Sequence, residues 1–245
     1  VNWFMYNGIG STAMGIRIES KNVYSAPERE MTFQSIPGRD GDLLLPGGRY
    51  PNARVSYTVF VPAKTQAELQ QKLTAIKGWL YAGQDSYHDL HDSYDPTHFR
   101  QAVYAAALDI EDQLLRIGIC TITFSCLPYR YLNSGQTLIG YTGTTVTITN
   151  PTAFIAKPYM KITAGSTANG TLTQTADGVS KAWTVKSPSS YVEVDSEMMN
   201  FYKGTASMNA NVTGSGYPLL YPGDNIFKLS GSFTKLSVKP RWCEL

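Results

Sequence analysis

The sequence predicts a mainly β chain of two domains carrying one principal helix. Three observations predict it. Strand-period alternation recurs along the chain, a single stretch has helical periodicity, and the texture changes sharply after Leu132. The expected domains are residues 1–132, an α+β domain, and residues 133–245, a β-sandwich. A chain of 245 residues has room for one large or two small domains.

The first domain's clearest strand is Arg54–Val61. Val55, Tyr57, Val59 and Val61 alternate with Arg54, Ser56, Thr58 and Phe60, and Pro62 ends the run. The helix follows. Thr65-Gln66-Ala67-Glu68 reads as a capping box, with the Thr hydroxyl taking an orphan amide and the Glu reaching back to the cap amide. Leu69, Leu73, Ile76 and Leu80 then share one face, and Gly83 supplies a left-handed stop, so the helix is expected from about Gln66 to Tyr81. Arg116–Leu127 alternates with apolar bulk on both faces, which predicts a strand covered on both sides. Cys120 and Cys126 lie six apart on that strand, about 20 Å, too far to pair or to share a metal. After Asn133 the chain turns Ser/Thr-rich and charge-poor. Short strands such as 144–149 and 157–163 alternate with Gly and Asn turns, the pattern of a sandwich.

Charge and cysteine content exclude several functions. Net charge is +2, and charged residues make up only 16%. The first domain carries 12 basic and 13 acidic residues and the second 9 and 6, so neither has the dense basic patch that drives nucleic-acid affinity. Three cysteines without tight spacing are no disulfide framework and fit a reducing compartment. No apolar run is long enough to cross a bilayer, and the N-terminus does not read as a signal peptide. Low charge with 12% aromatic residues suits buried subunit contacts, where aromatics are enriched and charge is depleted.

Few residues suggest chemistry. His88, His91 and His98, interleaved with Asp89, Asp92 and Asp95, offer imidazole and carboxylate ligands for a transition metal. Their spacing favours a plainer reading, a strand followed by a turn in which the Asp95 side chain bonds back to the backbone. Asp109 and Glu111 share a strand face, as acid–base carboxylates would, but exposed edge charges explain them more simply. No dinucleotide fingerprint and no nucleophile elbow is present. The expectation is a protein without catalysis and without a cofactor.

The order of several short motifs carries a resemblance. They are Ile36-Pro37-Gly38-Arg39-Asp40-Gly41-Asp42-Leu43-Leu44 with Gly48-Arg49-Tyr50, the helix ending in Trp79-Leu80, and the run from Leu90 through Asp92-Ser93-Tyr94-Asp95-Pro96 to Arg100. Phe124–Tyr131, Asn150-Pro151-Thr152, Pro218–Asn225 and Lys239-Pro240-Arg241-Trp242 follow in turn. Together they resemble the distal tail protein of bacteriophages with long non-contractile tails, in phages or prophages. The resemblance implies a ring-forming N-terminal domain followed by a galectin-like sandwich. It implies a homohexameric ring at the virion tail tip, assembled in the bacterial cytoplasm. The ring would join the tail tube protein to the tail-associated hub protein, with the tape-measure protein as a further partner and DNA passing through a central channel without specific binding. In several relatives the outer domains support receptor-binding proteins.

A closed ring needs heterologous contacts between neighbours. Arg39, Asp40, Asp42, Arg49, Tyr57 and Val59 are the residues expected at that contact. N-terminal strands, including Arg54–Val61 and Arg116–Leu127, are expected to contribute to an inter-subunit barrel or sheet, because exposed edge strands are natural pairing sites. The alternative reading is a carbohydrate-binding module acting in host adhesion. It draws on the tyrosines and the galectin-like sandwich, although likeness of fold does not establish a site.

Overall fold

The computed structural model describes residues 2–108, 110–113 and 117–245, with only the backbone for 110–113. Asp109, Arg116 and the Glu111 side chain therefore lie outside the described residues. The chain divides into two compact units, Val1–Arg130 with Leu245, and Tyr131–Glu244.

In the first unit the strands are β1 (Phe4–Tyr6), β2 (Ile9–Gly10), β3 (Arg17–Asn22), β4 (Met31–Gln34), β5 (Leu43–Pro46) and β6 (Ala53–Pro62). Then come helix α1 (Gln66–Tyr81), β7 (His88–Asp92), β8 (His98–Tyr104), β9 (Ile110–Gln113) and β10 (Ile117–Leu132). The main sheet runs β2-β1-β7-β8-β10-β6-β3. Val55, Tyr57, Val59 and Val61 of β6 and Cys120, Ile122, Phe124 and Cys126 of β10 all point into one core. There they meet Leu69, Ile76, Trp79 and Leu80 of α1. Phe4 stacks on Tyr57 at 4.5 Å and on Trp79 at 5.8 Å, and Phe124 lies 4.8 Å from Tyr6. The Trp79 indole donates to the Tyr6 carbonyl at 3.0 Å, which satisfies its one polar atom inside the core.

The expected helix bounds are found, and the Thr65 hydroxyl accepts the Glu68 amide at 3.2 Å. The other half of the box is displaced by one residue. The Glu68 carboxylate takes the Lys64 amide at 2.9 Å, not that of Thr65, and also pairs with Lys72 at 2.8 Å. Gly83 is left-handed (φ 69°), beyond the Ala82 cap. Thr65→Ala should therefore cost about 1 kcal/mol of stability, read as a lower chemical-unfolding midpoint.

One expectation about β10 is corrected. Its second face, with Ile117, Thr121 and Thr123, is not buried, because α1 covers only one side of the sheet. An antiparallel sheet tolerates one open face.

The second unit begins with β11 (Ile139–Thr142), β12 (Thr145–Asn150), β13 (Tyr159–Ala164), β14 (Gly170–Ala176), β15 (Val179–Val185) and β16 (Tyr191–Asp195). It continues with β17 (Asn200–Lys203), β18 (Ala206–Ser207), β19 (Val212–Thr213), β20 (Gly223–Gly231) and β21 (Phe233–Lys239). They form two sheets, β11-β21-β13-β16-β17-β18 and β12-β20-β14-β15-β19. Alternate residues of both are buried, including Met160, Ile162, Val192 and Val194 from one sheet and Leu172, Trp183, Phe227 and Leu229 from the other. That is the expected sandwich.

Two polar locks fix its connections. Asn225, fully buried, donates to the carbonyls of Tyr221 (2.8 Å) and Gly223 (3.0 Å) and accepts the Tyr221 amide (2.9 Å) and the Gln174 side-chain amide (3.0 Å). Asn150 donates to the Leu220 carbonyl at 3.0 Å and accepts from Thr152. In the second lock Arg241 grips Asp195 through two 2.8 Å bonds, while Asp195 also accepts the Glu197 and Met198 amides. Burial would push the Asp195 carboxyl up, but Arg241 and the two amides outweigh it and hold it below the usual carboxylate value. A depressed folded value stabilises above the unfolded value of about 4 and ceases to do so as pH falls through the folded value. Thus the stability gap between the parent and Asp195→Asn, measured by denaturant titration, should be present at pH 7 and shrink below about pH 4.

Candidate subunit interface

Between β3 and β6 the chain leaves the main sheet and folds on itself. β4 and β5 pair only with each other, in the register Met31↔Pro46, Thr32↔Leu45, Phe33↔Leu44 and Gln34↔Leu43. Residues directly opposite in an antiparallel pair share a face. One face of this hairpin therefore carries Met31, Phe33, Leu44 and Pro46, all apolar. The other carries Thr32, Gln34, Leu43 and Leu45. Every residue of both strands is exposed, with Phe33 at 65% and Leu44 at 49%. A two-stranded ribbon is marginal in water, and a contiguous bare apolar face marks an interaction surface.

The hairpin is nonetheless well specified at both ends. At its base the Gly47 amide donates to the Glu30 carbonyl at 2.8 Å, and Arg49 pairs with Glu30 at 2.5 Å. A Cβ on Gly47 would stand 2.9 Å from the Glu30 side chain, so glycine permits the close approach. At the tip the Arg39 amide donates to the Ile36 carbonyl at 3.2 Å, and Gly38 and Gly41 take left-handed φ values of 80° and 79°. The motif Ile36–Leu44 is thus the turn and outgoing strand of this ribbon.

The six expected contact residues separate into two groups. Arg39, Asp40 and Asp42 are exposed on the hairpin tip, and Arg49 on its base. Tyr57 and Val59 do not belong with them. Both are fully buried in the core, and the Tyr57 hydroxyl donates to Asp92 at 2.9 Å. Their alternation on β6 marks the inner face of a sheet.

β6 and β10 are not themselves edge strands of this sheet. β6 lies between β10 and β3, and β10 lies between β8 and β6, so their backbone groups are already paired. The main path of the sheet ends in β2, of two residues, and β3, and β9 pairs β10 beside that path. On β3 the register shifts between Ile18 and Ser20, and Arg17 and Glu19 are exposed, the devices that discourage edge-to-edge pairing. What β6 and β10 do offer is their outer face. Phe60 stands opposite Ile119 and Pro62 opposite Ile117, four apolar residues left half-buried or exposed.

The histidines do three separate jobs. His88 Nε2 lies 2.8 Å from the Gly83 carbonyl, and its ring meets Tyr6 edge-on. His91 stacks on Phe99 at 5.2 Å, and His98 Nδ1 lies 2.8 Å from Asp95. Among the described residues no three His, Cys, Asp or Glu side chains come together as a metal would need. The turn expected at Asp95 is capped by Asp92, which accepts the amides of Tyr94 and Asp95, both at 2.9 Å. Asp95 instead pairs with His98 and Arg130. Burial raises the thiols of Cys120 and Cys243 to about 11 and that of Cys126 to about 12, so all three stay protonated at neutral pH.

Neither a protein-family model nor a curated protein matches the chain. Solved structures do. The Dit protein (gp 19.1) of phage SPP1, described as a paradigm of the hub adsorption apparatus of phages infecting Gram-positive bacteria, superposes with a TM-score of 0.79 at 16% identity, covering 97% of each chain. A chain of the phage P2 baseplate in its calcium-activated conformation matches with a TM-score of 0.53 at 10% identity, covering 97% of each. The strontium form of that baseplate matches at 0.51 and 10%, covering 97% of this chain and 98% of that one. Across almost its whole length, this chain has the fold of the SPP1 Dit protein.

Proposed function

We propose that this chain is a structural adaptor of a phage tail tip, a ring of six copies joining the tail tube protein to the tail-associated hub protein and enclosing a channel for the tape-measure protein and DNA. It works without catalysis, and its second unit offers a surface for receptor-binding protein. The bare apolar face of the β4–β5 hairpin carries this reading, and the fold shared with SPP1 Dit supports it.

The contact follows from complementary surfaces. Met31, Phe33, Leu44 and Pro46 of one copy lie against Phe60, Pro62, Ile117 and Ile119 of the next. Two different patches meet, which is the heterologous geometry that closes into a ring. Each large side chain moved from water into such a contact contributes about 1.5–3 kcal/mol, so a few anchors suffice for stable closure. Arg39, Asp40 and Asp42 at the tip set direction, since rim charges govern specificity more than affinity.

Mass measurement over a concentration series, with and without tube and hub proteins, tests the reading. Six chains of 27.0 kDa make a particle of about 162 kDa. A discrete species of that mass, or one captured by folded hub protein, is expected. A chain that remains at 27.0 kDa throughout and joins neither partner would refute it.

A further inference from the structure

The second unit leaves one sheet edge unguarded. Strand β12 ends its sheet and pairs only with β20, in the register Thr145↔Lys228 to Asn150↔Gly223. It runs Thr-Val-Thr-Ile-Thr-Asn, six residues without charge, proline or a break in register. The edge strand β3, of the same length, carries Arg17, Glu19 and Lys21 and a shifted register. Charges and bulges of that kind keep a sheet edge from pairing with another chain, and β12 has neither. The other edges of this unit are short, β11 of four residues and β18 and β19 of two each.

The ladder shows which groups point outward. The Leu229 amide donates to the Thr144 carbonyl at 2.7 Å, which makes Thr144 and Leu229 a hydrogen-bonded pair. Such pairs alternate with non-bonded ones along an antiparallel ladder. Val146, Ile148 and Asn150 therefore bond to β20. Thr145, Thr147 and Thr149 turn their amides and carbonyls to the free edge, and all three are exposed. Gly143 (φ 106°) breaks the strand before them, and Pro151, without an amide, closes it after them. The usable edge is thus three threonines centred on Thr147.

The occupant that fits this edge is the same edge of a second copy. Run antiparallel about Thr147, two β12 strands bring Thr145 of each opposite Thr149 of the other and set the two Thr147 residues face to face. Every outward donor then meets an acceptor. Threonine opposite threonine is a favourable cross-strand pair, and neither strand carries a charge to oppose itself. On the buried face Val146 stands opposite Ile148. The flanking charges agree. Thr145 sits beside Lys228 and Thr149 beside Asp224, whose carboxylate accepts the Thr149 hydroxyl at 2.6 Å. Each row across the joined sheet then ends in Lys228 of one copy and Asp224 of the other.

We propose that β12 pairs with β12 of a second copy about a two-fold axis at Thr147, joining two sandwiches through one continuous sheet. A two-fold contact cannot repeat between neighbours in a six-fold ring, so it links free chains or separate rings and does not rest on the ring.

The test uses the full chain carrying Phe33→Asp/Leu44→Asp, so that the hairpin contributes nothing. Sedimentation should show a dimer of about 54 kDa, twice the 27.0 kDa chain, with a Kd below about 1 mM. Thr147→Pro should weaken it about tenfold or more, because the lost amide points away from β20 and proline is tolerated there on an edge strand. Should that variant unfold, Thr147→Lys, at the same exposed position, sets two like charges face to face and should weaken the dimer as much. Mild oxidation reads the register. Thr147→Cys should cross-link to itself, for Cα atoms in a hydrogen-bonded pair lie about 5.5 Å apart, within the span of a disulfide. Thr145→Cys should not, since the two substituted positions would lie about 14 Å apart along the strands. A mixture of Thr145→Cys and Thr149→Cys chains should cross-link. The native cysteines are buried and do not compete. The proposal fails if the chain stays single up to about 1 mM. It fails equally if neither Thr147 variant moves the dimer, or if Thr145→Cys cross-links to itself as fast as Thr147→Cys. Protection of the β12 amides from hydrogen exchange by hub protein alone, without a dimer, would assign the edge to a partner's strand and overturn it as well.

Discussion

The double variant Phe33→Asp/Leu44→Asp should yield a folded chain that no longer assembles. These two side chains face each other across the β4–β5 ribbon and stand well clear of the first unit's core. Placing charge there removes no buried contact, so circular dichroism and unfolding should match the parent within about 0.5 kcal/mol. In an assembly the same residues become anchors. Losing both removes about 3–6 kcal/mol per contact, at least a hundredfold in affinity. The matched experiment is Phe60→Glu/Ile119→Asp on the outer face of β6 and β10. It should abolish assembly equally, and a mixture of the two variants should form at most open pairs, because each retains one good patch. Sedimentation at matched concentration reads all three.

Asn225→Ala should be among the most damaging single changes in the second unit. Its amide joins β20 to the Leu219–Tyr221 segment and to Gln174 of β14, and it is fully buried. Truncation orphans the Tyr221 amide, removes one partner of the Gln174 side chain and leaves the Tyr221 and Gly223 carbonyls with fewer donors. Each buried group so stranded costs about 1–3 kcal/mol, so a total loss of about 3–5 kcal/mol is expected. Asn225→Asp should be no rescue, since a carboxylate cannot donate to those carbonyls and would be buried unpaired. Thermal unfolding followed by Trp183 fluorescence reads the loss, because that residue is 1% exposed in the same unit.

Local chemistry explains why some of this was readable from residues alone. Thr65, Glu68 and the Leu69–Leu80 spacing act within one helix, and the helix bounds came out as expected. The alternation of β6 and β10 reported which residues point inward. It could not report that β8 and β3 would flank them. Tyr57 and Val59 were misplaced for the same reason: alternation gives a face, and only the packing of α1 decides which face is inside.

Trp79 also belongs to the helical stripe, three positions after Ile76, and it anchors the core through Tyr6. The apolar face of β4–β5 was missed. The run Leu43-Leu44-Leu45-Pro46 follows a charged turn and reads as loop, although unbroken apolar residues there were a signal. Only register shows that Met31 and Phe33 join Leu44 and Pro46 on one side. The polar signatures Asn150-Pro151-Thr152 and Pro218–Asn225 were readable as motifs. Their role as a buried hydrogen-bond lock is long-range, 70 residues or so between Asn150 and Leu220, and spacing does not reveal it.

The account stands on one contact, the hairpin of one copy seated on the outer sheet face of the next. Electron microscopy of the purified chain, alone and with hub protein, examines it most directly. Six-fold rings with an open bore, in which the Met31–Pro46 ribbon crosses to its neighbour's Phe60 and Ile119, are the expected image. Single particles of one chain, or rings whose hairpins fold back on their own subunit, would contradict it.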